Sequence, residues 1–169
     1  MKISYAITVC NELKEIKRLI GYLVEGKRRE DEIVILFDSK NGTKEVEEAL
    51  DVLNTIDWYK LHKSPFNNHF ADWKNLLTSL CTGDYIYQID ADELINEDLL
   101  RPLFQFVNFP DYQWRIYKNN GKIKWKNKVH EVLEGYKTLT ALPTEEIYCL
   151  IHEKTIKKQE KQNSYYDTL

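Results

Sequence analysis

The sequence gathers three carboxylates directly after a run of strand-forming residues. The segment YIYQIDADEL, residues 85–94, carries Asp90, Asp92 and Glu93. One explanation is an acidic turn, which is common after strands and makes Asp-Xaa-Asp a weak motif by itself. The other is a metal site, because carboxylates at alternate positions after a strand can hold one Mg²⁺ or Mn²⁺ and a diphosphate bound to it. The segment alone leaves both explanations open.

Polar residues also follow two other predicted strands. Thr8, Asn11 and Glu12 lie at or just after the end of ISYAITVC, and Asp38 follows EIVILF. Because ligands of open parallel sheets bind beyond the carboxyl ends of the strands, we expect these residues at one edge with the acidic cluster. Carboxylates gathered there would repel one another unless a cation or a donor-rich ligand were bound. Glu12 and Asp38 could instead be ordinary turn or helix-start residues.

Two histidines and a glutamate extend the set of candidates. His152 ends the apolar run IYCLIH, so a strand would bring it near the same edge, where imidazole beside carboxylate suits Mn²⁺. A lone histidine there is more often structural. KVHEV, residues 128–132, predicts a strand in which His130 and Glu131 point to opposite faces. Glu131 could then accept a proton from an attacking hydroxyl, or both residues could simply lie on the strand surface.

The elements that position these residues alternate between strand and helix in the first half of the chain. Apolar residues at helical spacing predict helices from Asn11 as N-cap to Gly26, from Thr43 onward, and over HFADWKNLLTSLCTG. Strands are predicted before and between them, with WYKLH, residues 58–62, as the third and DYIYQI as the fourth. Such alternation predicts a parallel sheet with right-handed crossovers.

The second half is expected to be smaller and richer in β-structure. Residues 95–107 have apolar side chains at helical spacing, although Pro102 disturbs the first turn. An Asn-Asn-Gly sequence at 119–121 predicts a hairpin turn between two β-rich arms, and EIYCLIH predicts a further strand. The tail from residue 153 is polar on nearly every face, which is typical of a solvated helix or a mobile end.

Composition indicates one soluble domain without a global basic field for nucleic acid. The 169 residues are 43% hydrophobic and 30% charged, with a net charge of −3 and a pI of about 5.9. Cys10, Cys81 and Cys149 lack metal-ligand spacing and are expected to be reduced thiols of a cytoplasmic protein. No apolar run has the length of a signal peptide or of a membrane span, which needs about 18 residues.

Taken together, five segments resemble the GT-A type of family 2 glycosyltransferases. They are ITVCNELKEIKRLI, FDS at 37–39, FADWKNLLTSLCTGDYIYQIDADE, WRIYKNNGKIKWKNKVHEVLEG and IHEKTIKKQEKQNSYYDTL. The first two are similar to the opening strand and helix of the family and to its second strand, which ends in an Asp that holds the nucleobase or ribose. The third resembles Phe-Ala…Arg-Asn…Gly-Asp…Asp-Ala-Asp-Glu, with Lys74 where Arg is usual and Asn75 in its place. The fourth is similar to a segment that ends in Val-His-Glu in one branch, and the last to the closing His and trailing helix.

The resemblance implies a GT-A fold. That fold is a mostly parallel α/β sheet with helices on both faces, followed by a smaller β-rich acceptor region and a C-terminal helix. We expect a single domain over 1–169, with a nucleotide-sugar-binding half at 1–93, an acceptor-side half at 94–152 and a tail helix at 153–169.

The resemblance also implies a site for a nucleotide-sugar, with UDP the commonest donor nucleotide. The donor-binding residues would be Thr8, Asn11, Glu12, Asp38, Lys74, Asn75, Asp90 and Ala91. Asp92 and His152, with Asp90 nearby, would hold Mn²⁺ or Mg²⁺, which neutralises charge on the departing nucleoside diphosphate. A carboxylate would deprotonate the acceptor hydroxyl for inverting transfer, with Glu131 as the first candidate and Glu93 as the second.

The acceptor side carries many basic residues, and aromatic residues alternate with some of them. The lysines are Lys118, Lys122, Lys124, Lys126, Lys128, Lys154, Lys157, Lys158 and Lys161, and the aromatic residues are Tyr112, Trp114, Tyr117 and Trp125. Such a surface suits a nucleic-acid backbone with an exposed base, suits a sugar equally well, and could also be an ordinary solvated hairpin.

The chain and its tail also resemble small glycosyltransferases encoded by bacteriophages, some of which glycosylate hydroxymethylated pyrimidines in DNA. That resemblance makes modified DNA the leading acceptor, ahead of a surface polysaccharide or a protein. It would place the protein in the host cytoplasm.

Three other classes of protein use similar features. A nucleotidyltransferase needs a Gly-rich loop after its first strand, and TVCNELKE contains no glycine. A phosphatase of the haloacid dehalogenase type carries Asp-Xaa-Asp at the end of its first strand, where this chain has Cys10-Asn11-Glu12. The third class is a non-catalytic sugar-nucleotide-binding module, which donor turnover would exclude.

Overall fold

The centre of the fold is a five-stranded sheet whose first four strands are parallel. The structure is a computed structural model and describes residues 1–95, 113–142, 150–152, 156–166 and 168. The sheet contains β1 (Ile3–Val9), β2 (Glu32–Asp38), β3 (Tyr59–Ser64), β4 (Tyr85–Asp90) and, after the short strand β5 (Glu93–Ile95), β6 (Ile116–Lys118). The order is β3-β2-β1-β4-β6, with β6 antiparallel to β4. The mostly parallel sheet predicted from the strand–helix alternation is confirmed.

Helices cover both faces of this sheet. They are α1 (Leu13–Gly26), α2 (Lys44–Asp51) and α3 (Phe70–Leu80), which follow β1, β2 and β3. One core contains Ile7, Ile35 and Ile89 with apolar residues of α1 and α2, and the other contains Ala6 and Leu36 with apolar residues of α3. Because successive strand residues point to opposite faces, every residue of β2 is buried between the two layers.

Local signals set the helix boundaries, with one correction. α1 ends at Gly26 and α2 begins after Thr43 as N-cap, as predicted. The N-cap of α1 is Glu12 rather than Asn11. The Glu12 carboxylate accepts the backbone N–H groups of Cys10 and Asn11, both at 2.9 Å. These bonds hold Asn11 in the turn before the helix, so the helix begins one residue later than predicted.

The predicted hairpin at 119–121 is wrong. The chain does turn there, with Gly121 at φ 72°, but β6 pairs with β4, while β7 (Lys124–Lys126) pairs with β8 (Val132–Glu134). The Asn119 side chain donates to the carbonyls of Cys81 and Gly83, which fastens the turn to the chain between α3 and β4. An Asn-Asn-Gly turn specifies a reversal but not which strands pair across it.

The strand predicted over 128–132 is also wrong for all but its last residue. β8 begins only at Val132, and His130 has a left-handed φ of 54°. The carbonyl of Lys128 accepts the N–H of Phe70, the first residue of α3. The Lys128 carbonyl is therefore bonded to the N-terminus of α3 and not to a neighbouring strand. His130 and Glu131 lie in an irregular turn, so strand alternation does not decide where they point.

The tail contains the predicted C-terminal helix, α4 (Ile156–Tyr166). A last strand, β9 (Leu150–His152), pairs antiparallel with β5. Apart from Ile95, which ends β5, the helix predicted over 95–107 lies outside the described residues, as does Cys149. Among the described residues, no helix combines the length and the apolar character that a membrane crossing requires.

Candidate active site

The acidic turn after β4 is held against the end of β1. Thr8 and Asp90 are partners in the parallel register, and the Thr8 hydroxyl donates to the Asp90 carboxylate at 3.1 Å. The N–H of Ala91 donates to the Thr8 carbonyl at 3.2 Å. Ala91 and Asp92 are only 3% and 9% exposed. These contacts distinguish the turn from a solvated acidic loop.

A guanidinium that sequence reasoning missed lies beside this turn. Arg115, the residue before β6, forms an ion pair with Glu93, and its second terminal nitrogen lies 4.0 Å from an Asp90 oxygen. The other oxygen of Glu93 accepts the Asp90 N–H at 2.8 Å. Glu93 is 3% exposed and therefore buried in this pair. The signal in the sequence was an isolated arginine within the aromatic run YQWRIY.

Lys74 reaches the site from α3. Its ammonium lies 3.4 Å from a Glu131 oxygen and 4.6 Å from the centre of the Trp125 ring. Both partners of the ion pair are largely buried, since the Lys74 and Glu131 side chains are 12% and 15% exposed. The neighbouring Asn75 uses both ends of its amide on the Trp125 backbone, at 2.9 Å each. Asn75 thus fixes β7 against α3.

Acidic groups outnumber basic groups among the described residues of this cluster. These residues are Asp90, Asp92, Glu93 and Glu131 with Lys74 and Arg115. Burial disfavours ionisation of Asp90, but Lys74 and Arg115 outweigh it and lower the pKa of Asp90, while Asp92 acts in the opposite sense.

Mn²⁺ or Mg²⁺ fits this arrangement when a diphosphate completes the coordination. Within the described part of the chain, no group of three His, Cys, Asp or Glu residues could hold a metal ion alone. Such ions are commonly bound by one or two carboxylates together with substrate phosphates. The backbone of His152 lies beside the acidic turn because β9 pairs it with Glu93, but its side chain is outside the described part.

The predicted donor-binding acids of β1 and β2 support their own loops. The Glu12 carboxylate binds the turn that contains Asn11, and Asp38 accepts N–H groups from Lys40 at 2.9 Å and Phe66 at 3.1 Å. The Asn41 side chain also donates to Asp38, at 2.7 Å. These contacts connect the loops after β2 and β3 at the same edge as the acidic turn.

The Cys10 thiol beside these loops is not poised for reaction. Burial, and then the charges of Glu12 and Asp38, raise the pKa of Cys10 to about 12. Because the thiolate is the reactive form, this cysteine is expected to remain a protonated lining residue.

The end of α4 lies over this edge, which the polar composition of the tail did not indicate. The Tyr165 hydroxyl donates to the Asn68 side chain at 2.9 Å. The Tyr166 ring is 5.5 Å from the Phe70 ring and 6.3 Å from the His130 ring, measured between centroids. A pair of tyrosines in an otherwise polar helix was the available signal.

The acidic residues also affect the pKa of Tyr166. Burial raises this pKa, a hydrogen bond with the Gln162 side chain lowers it, and the charges of Glu131, Asp90 and Asp92 raise it. In contacts, Tyr165 binds the β3–α3 loop through Asn68, and Tyr166 packs against Phe70 and His130.

The basic surface of the β-rich half contains lysines without the predicted aromatic partners. The exposed lysines there are Lys118, Lys122, Lys124, Lys126 and Lys128. Tyr117 and Trp125, which alternate with them in the sequence, are 6% and 4% exposed and belong to the core. Trp114 packs against Tyr136, and Tyr112 lies outside the described residues.

Comparison with known families identifies the class of protein. The model of the family described as Glycosyl transferase family 2 matches residues 4–165. This chain belongs to that family. The resemblance predicted from the sequence segments is thereby confirmed, and the chain falls among glycosyltransferases. No curated protein sequence matches it significantly.

Solved structures share the architecture at low sequence identity. S. aureus TarS 1–349 has a TM-score of 0.50 and 21% identity, over 57% of this chain and 29% of that one. TarS 1–349 in complex with UDP has a TM-score of 0.49 and 20% identity, over 58% of this chain and 29% of that one. The mannosyltransferase PcManGT from Pyrobaculum calidifontis, in complex with GDP-Man and Mn²⁺, has a TM-score of 0.48 and 18% identity. The match covers 54% of this chain and 28% of that one. This chain spans less than a third of each of these three, and the first supports the GT-A fold.

Proposed function

We propose that this chain is a metal-dependent, inverting glycosyltransferase, a hexosyl- or pentosyltransferase that moves a sugar from a nucleotide-sugar to an acceptor hydroxyl. The observation that carries this proposal is the acidic turn at the carboxyl edge of the parallel strands, where Asp90 and Asp92 lie against the end of β1 and beside Arg115. The donor is a UDP-sugar, as the family resemblance leads us to expect. Mn²⁺ or Mg²⁺ would be held by Asp92 and Asp90, with His152, and would stabilise the departing diphosphate.

The remaining donor contacts follow from the same edge. Thr8 and Ala91 border the acidic turn, so they would lie near the diphosphate. The loops held by Glu12 and Asp38 would bind the nucleoside. Lys74 would bind diphosphate oxygens once its pair with Glu131 opens.

Glu131 is the better of the two candidate bases. Glu93 is held by Arg115 and by the Asp90 N–H, whereas Glu131 lies 3.4 Å from the Lys74 ammonium. In the proposed step, Glu131 takes the proton from the acceptor hydroxyl as its oxygen bonds to the anomeric carbon. The bond from that carbon to the diphosphate oxygen breaks on the opposite face, and its electron pair leaves with the nucleoside diphosphate.

Two acceptor classes have separate support. The row of five exposed lysines from Lys118 to Lys128 favours the phosphate backbone of DNA, with a hydroxymethylated pyrimidine as the proposed acceptor. The neighbouring rings of Phe70, Tyr166 and His130, the residue before Glu131, favour a carbohydrate acceptor such as a surface polysaccharide over a protein, because aromatic faces bury the apolar face of a sugar.

Donor binding and turnover test the proposal directly. We expect a UDP-sugar to raise the melting temperature and to be hydrolysed slowly in Mn²⁺, with both effects lost in EDTA; GDP- and dTDP-sugars serve as matched comparisons. Binding without turnover of any of these donors would support a non-catalytic module instead. Transfer to hydroxymethylated DNA but not to unmodified DNA would support the DNA acceptor, and equal inactivity on both would remove it.

A further inference from the structure

Arg115 contacts the acidic turn through both its main chain and its side chain. Its carbonyl accepts the N–H of Gln88 at 2.8 Å, which attaches it to β4 just before Asp90. Its guanidinium pairs with Glu93 and lies 4.0 Å from the Asp90 carboxylate. Glu93 in turn accepts the Asp90 N–H at 2.8 Å. Arg115 therefore holds β4 and the residues on both sides of the turn.

We propose that Arg115 is a positioning residue that keeps the turn carrying Asp90 and Asp92 in one conformation for cation binding. This inference rests on the proposed function, because it concerns the same cation site. The Arg115 and Glu93 side chains are 20% and 3% exposed, so any movement of the turn that separated them would break a largely buried ion pair. A turn held in this way loses little conformational freedom when a cation binds.

The alternative is that Arg115 and Glu93 only anchor the fold, and a charge-balanced double substitution separates the two roles. Arg115→Met with Glu93→Gln removes one positive and one negative charge, so the net charge around Asp90 and Asp92 does not change, and the Gln side-chain oxygen can still accept the Asp90 N–H. Removing both charges of a buried ion pair together avoids the cost of leaving one of them unpaired. A change in cation affinity therefore reports the lost positioning.

The measurement is the Kd for Mn²⁺ alone, obtained from the electron paramagnetic resonance signal of free Mn²⁺, and repeated with UDP. We expect the double variant to melt within a few degrees of wild type and to bind Mn²⁺ at least about tenfold more weakly, the lower end of the loss typical for residues behind metal ligands. Arg115→Lys keeps the charge but not the planar guanidinium, so its Kd for Mn²⁺ should lie between those of wild type and the double variant. Arg29→Met, which removes an exposed arginine after α1, is the control and should leave the Kd unchanged.

The outcomes distinguish this inference from the proposed function. If the wild-type protein binds no Mn²⁺ with or without UDP, the cation site fails and the inference fails with it. If wild type and a folded double variant bind Mn²⁺ equally, the inference alone is overturned. If the double variant does not fold, Arg115→Lys becomes the test. A folded lysine variant that binds Mn²⁺ with wild-type affinity would overturn the inference, because it lacks the planar guanidinium of Arg115.

Discussion

The two edges of the central sheet both bury acidic residues, but the described basic residues beside them differ in number. At the amino edge, Asp31 and Glu32 are 1% and 2% exposed. Glu32 lies 2.8 Å from both Lys2 and Lys60, and Asp31 lies 2.8 Å from Arg28. Three cations therefore face two buried carboxylates, and this edge needs no ligand to balance its negative charge.

At the carboxyl edge the described residues have the opposite composition. Two cations from α3 and the β-rich half face the four carboxylates of the acidic cluster. Buried charge alone therefore does not distinguish a ligand site from a structural ion pair, because both edges have it. The location of the acidic turn at the carboxyl ends of the parallel strands does, and we expect substitutions there to affect turnover and those at the amino edge to affect stability.

The largest expected effect is the loss of turnover in Asp92→Asn. Removing the carboxylate takes away a proposed metal ligand, and metal stabilisation of the transition state is worth several kcal/mol, so kcat for donor turnover in Mn²⁺ should fall by about a thousandfold. Asp57→Asn, at an exposed acid away from the site, is the matched control and should behave like wild type. A thousandfold loss that excess Mn²⁺ fully restores would mean that Asp92 affects only cation affinity.

A smaller loss is expected for Glu131→Gln. The amide keeps the shape of the side chain but cannot accept the proton of the acceptor, so kcat should fall by about a hundredfold, while UDP should bind at least as tightly because Lys74 is released for the diphosphate. Glu134→Gln, at an exposed glutamate of β8, is the control. If Glu131→Gln weakens UDP binding as much as it lowers kcat, Glu131 belongs to the donor site through Lys74 and is not the base.

The amino edge should respond in stability instead. Glu32→Gln keeps an acceptor but removes the charge that Lys2 and Lys60 share, so the free energy of unfolding in urea should fall by about 2 kcal/mol. Glu30→Gln, at a carboxylate that is 53% exposed, should change it by less than about 0.5 kcal/mol. Normal stability with lost turnover in Glu32→Gln would contradict the division between the two edges.

The shared edge of Thr8, Asp38 and Asp90 could be predicted because short-range patterns decide it. A fully apolar strand such as β2 must be covered on both faces, and parallel strands then end at one edge. The position of the Asp-Xaa-Asp turn at that edge follows from the same pattern. The helix caps also depend on neighbouring residues. The predicted cap of α1 was nevertheless wrong by one residue, because Glu12 and not Asn11 is the N-cap.

The partners of these acids could not be predicted, because they depend on which distant segments pack together. Lys74 meets Glu131 because the carbonyl of Lys128 bonds to the N–H of Phe70 and bends the chain out of the strand expected there. Arg115 reaches Glu93 because β6 pairs with β4 instead of β7. Turn residues specify where a chain reverses, but the packing of buried side chains selects the pairing.

The last and smallest expected effect is the acid dependence of the amino edge. Burial raises the pKa of Glu32, but hydrogen bonds from Lys2, Lys60 and Ser4 outweigh it and hold the pKa below its ordinary value of 4.5. A carboxylate with a lowered pKa in the folded state contributes stability that is fully present above the unfolded pKa and is lost as the pH falls through the folded one. The difference in unfolding free energy between wild type and Glu32→Gln should therefore be constant above about pH 6 and should shrink by about 1 kcal/mol at pH 3.5, measured in urea at each pH. A difference that stays constant down to that pH would show that the lysines do not hold Glu32 ionised, and the contrast between the two edges would then rest on the carboxyl edge alone.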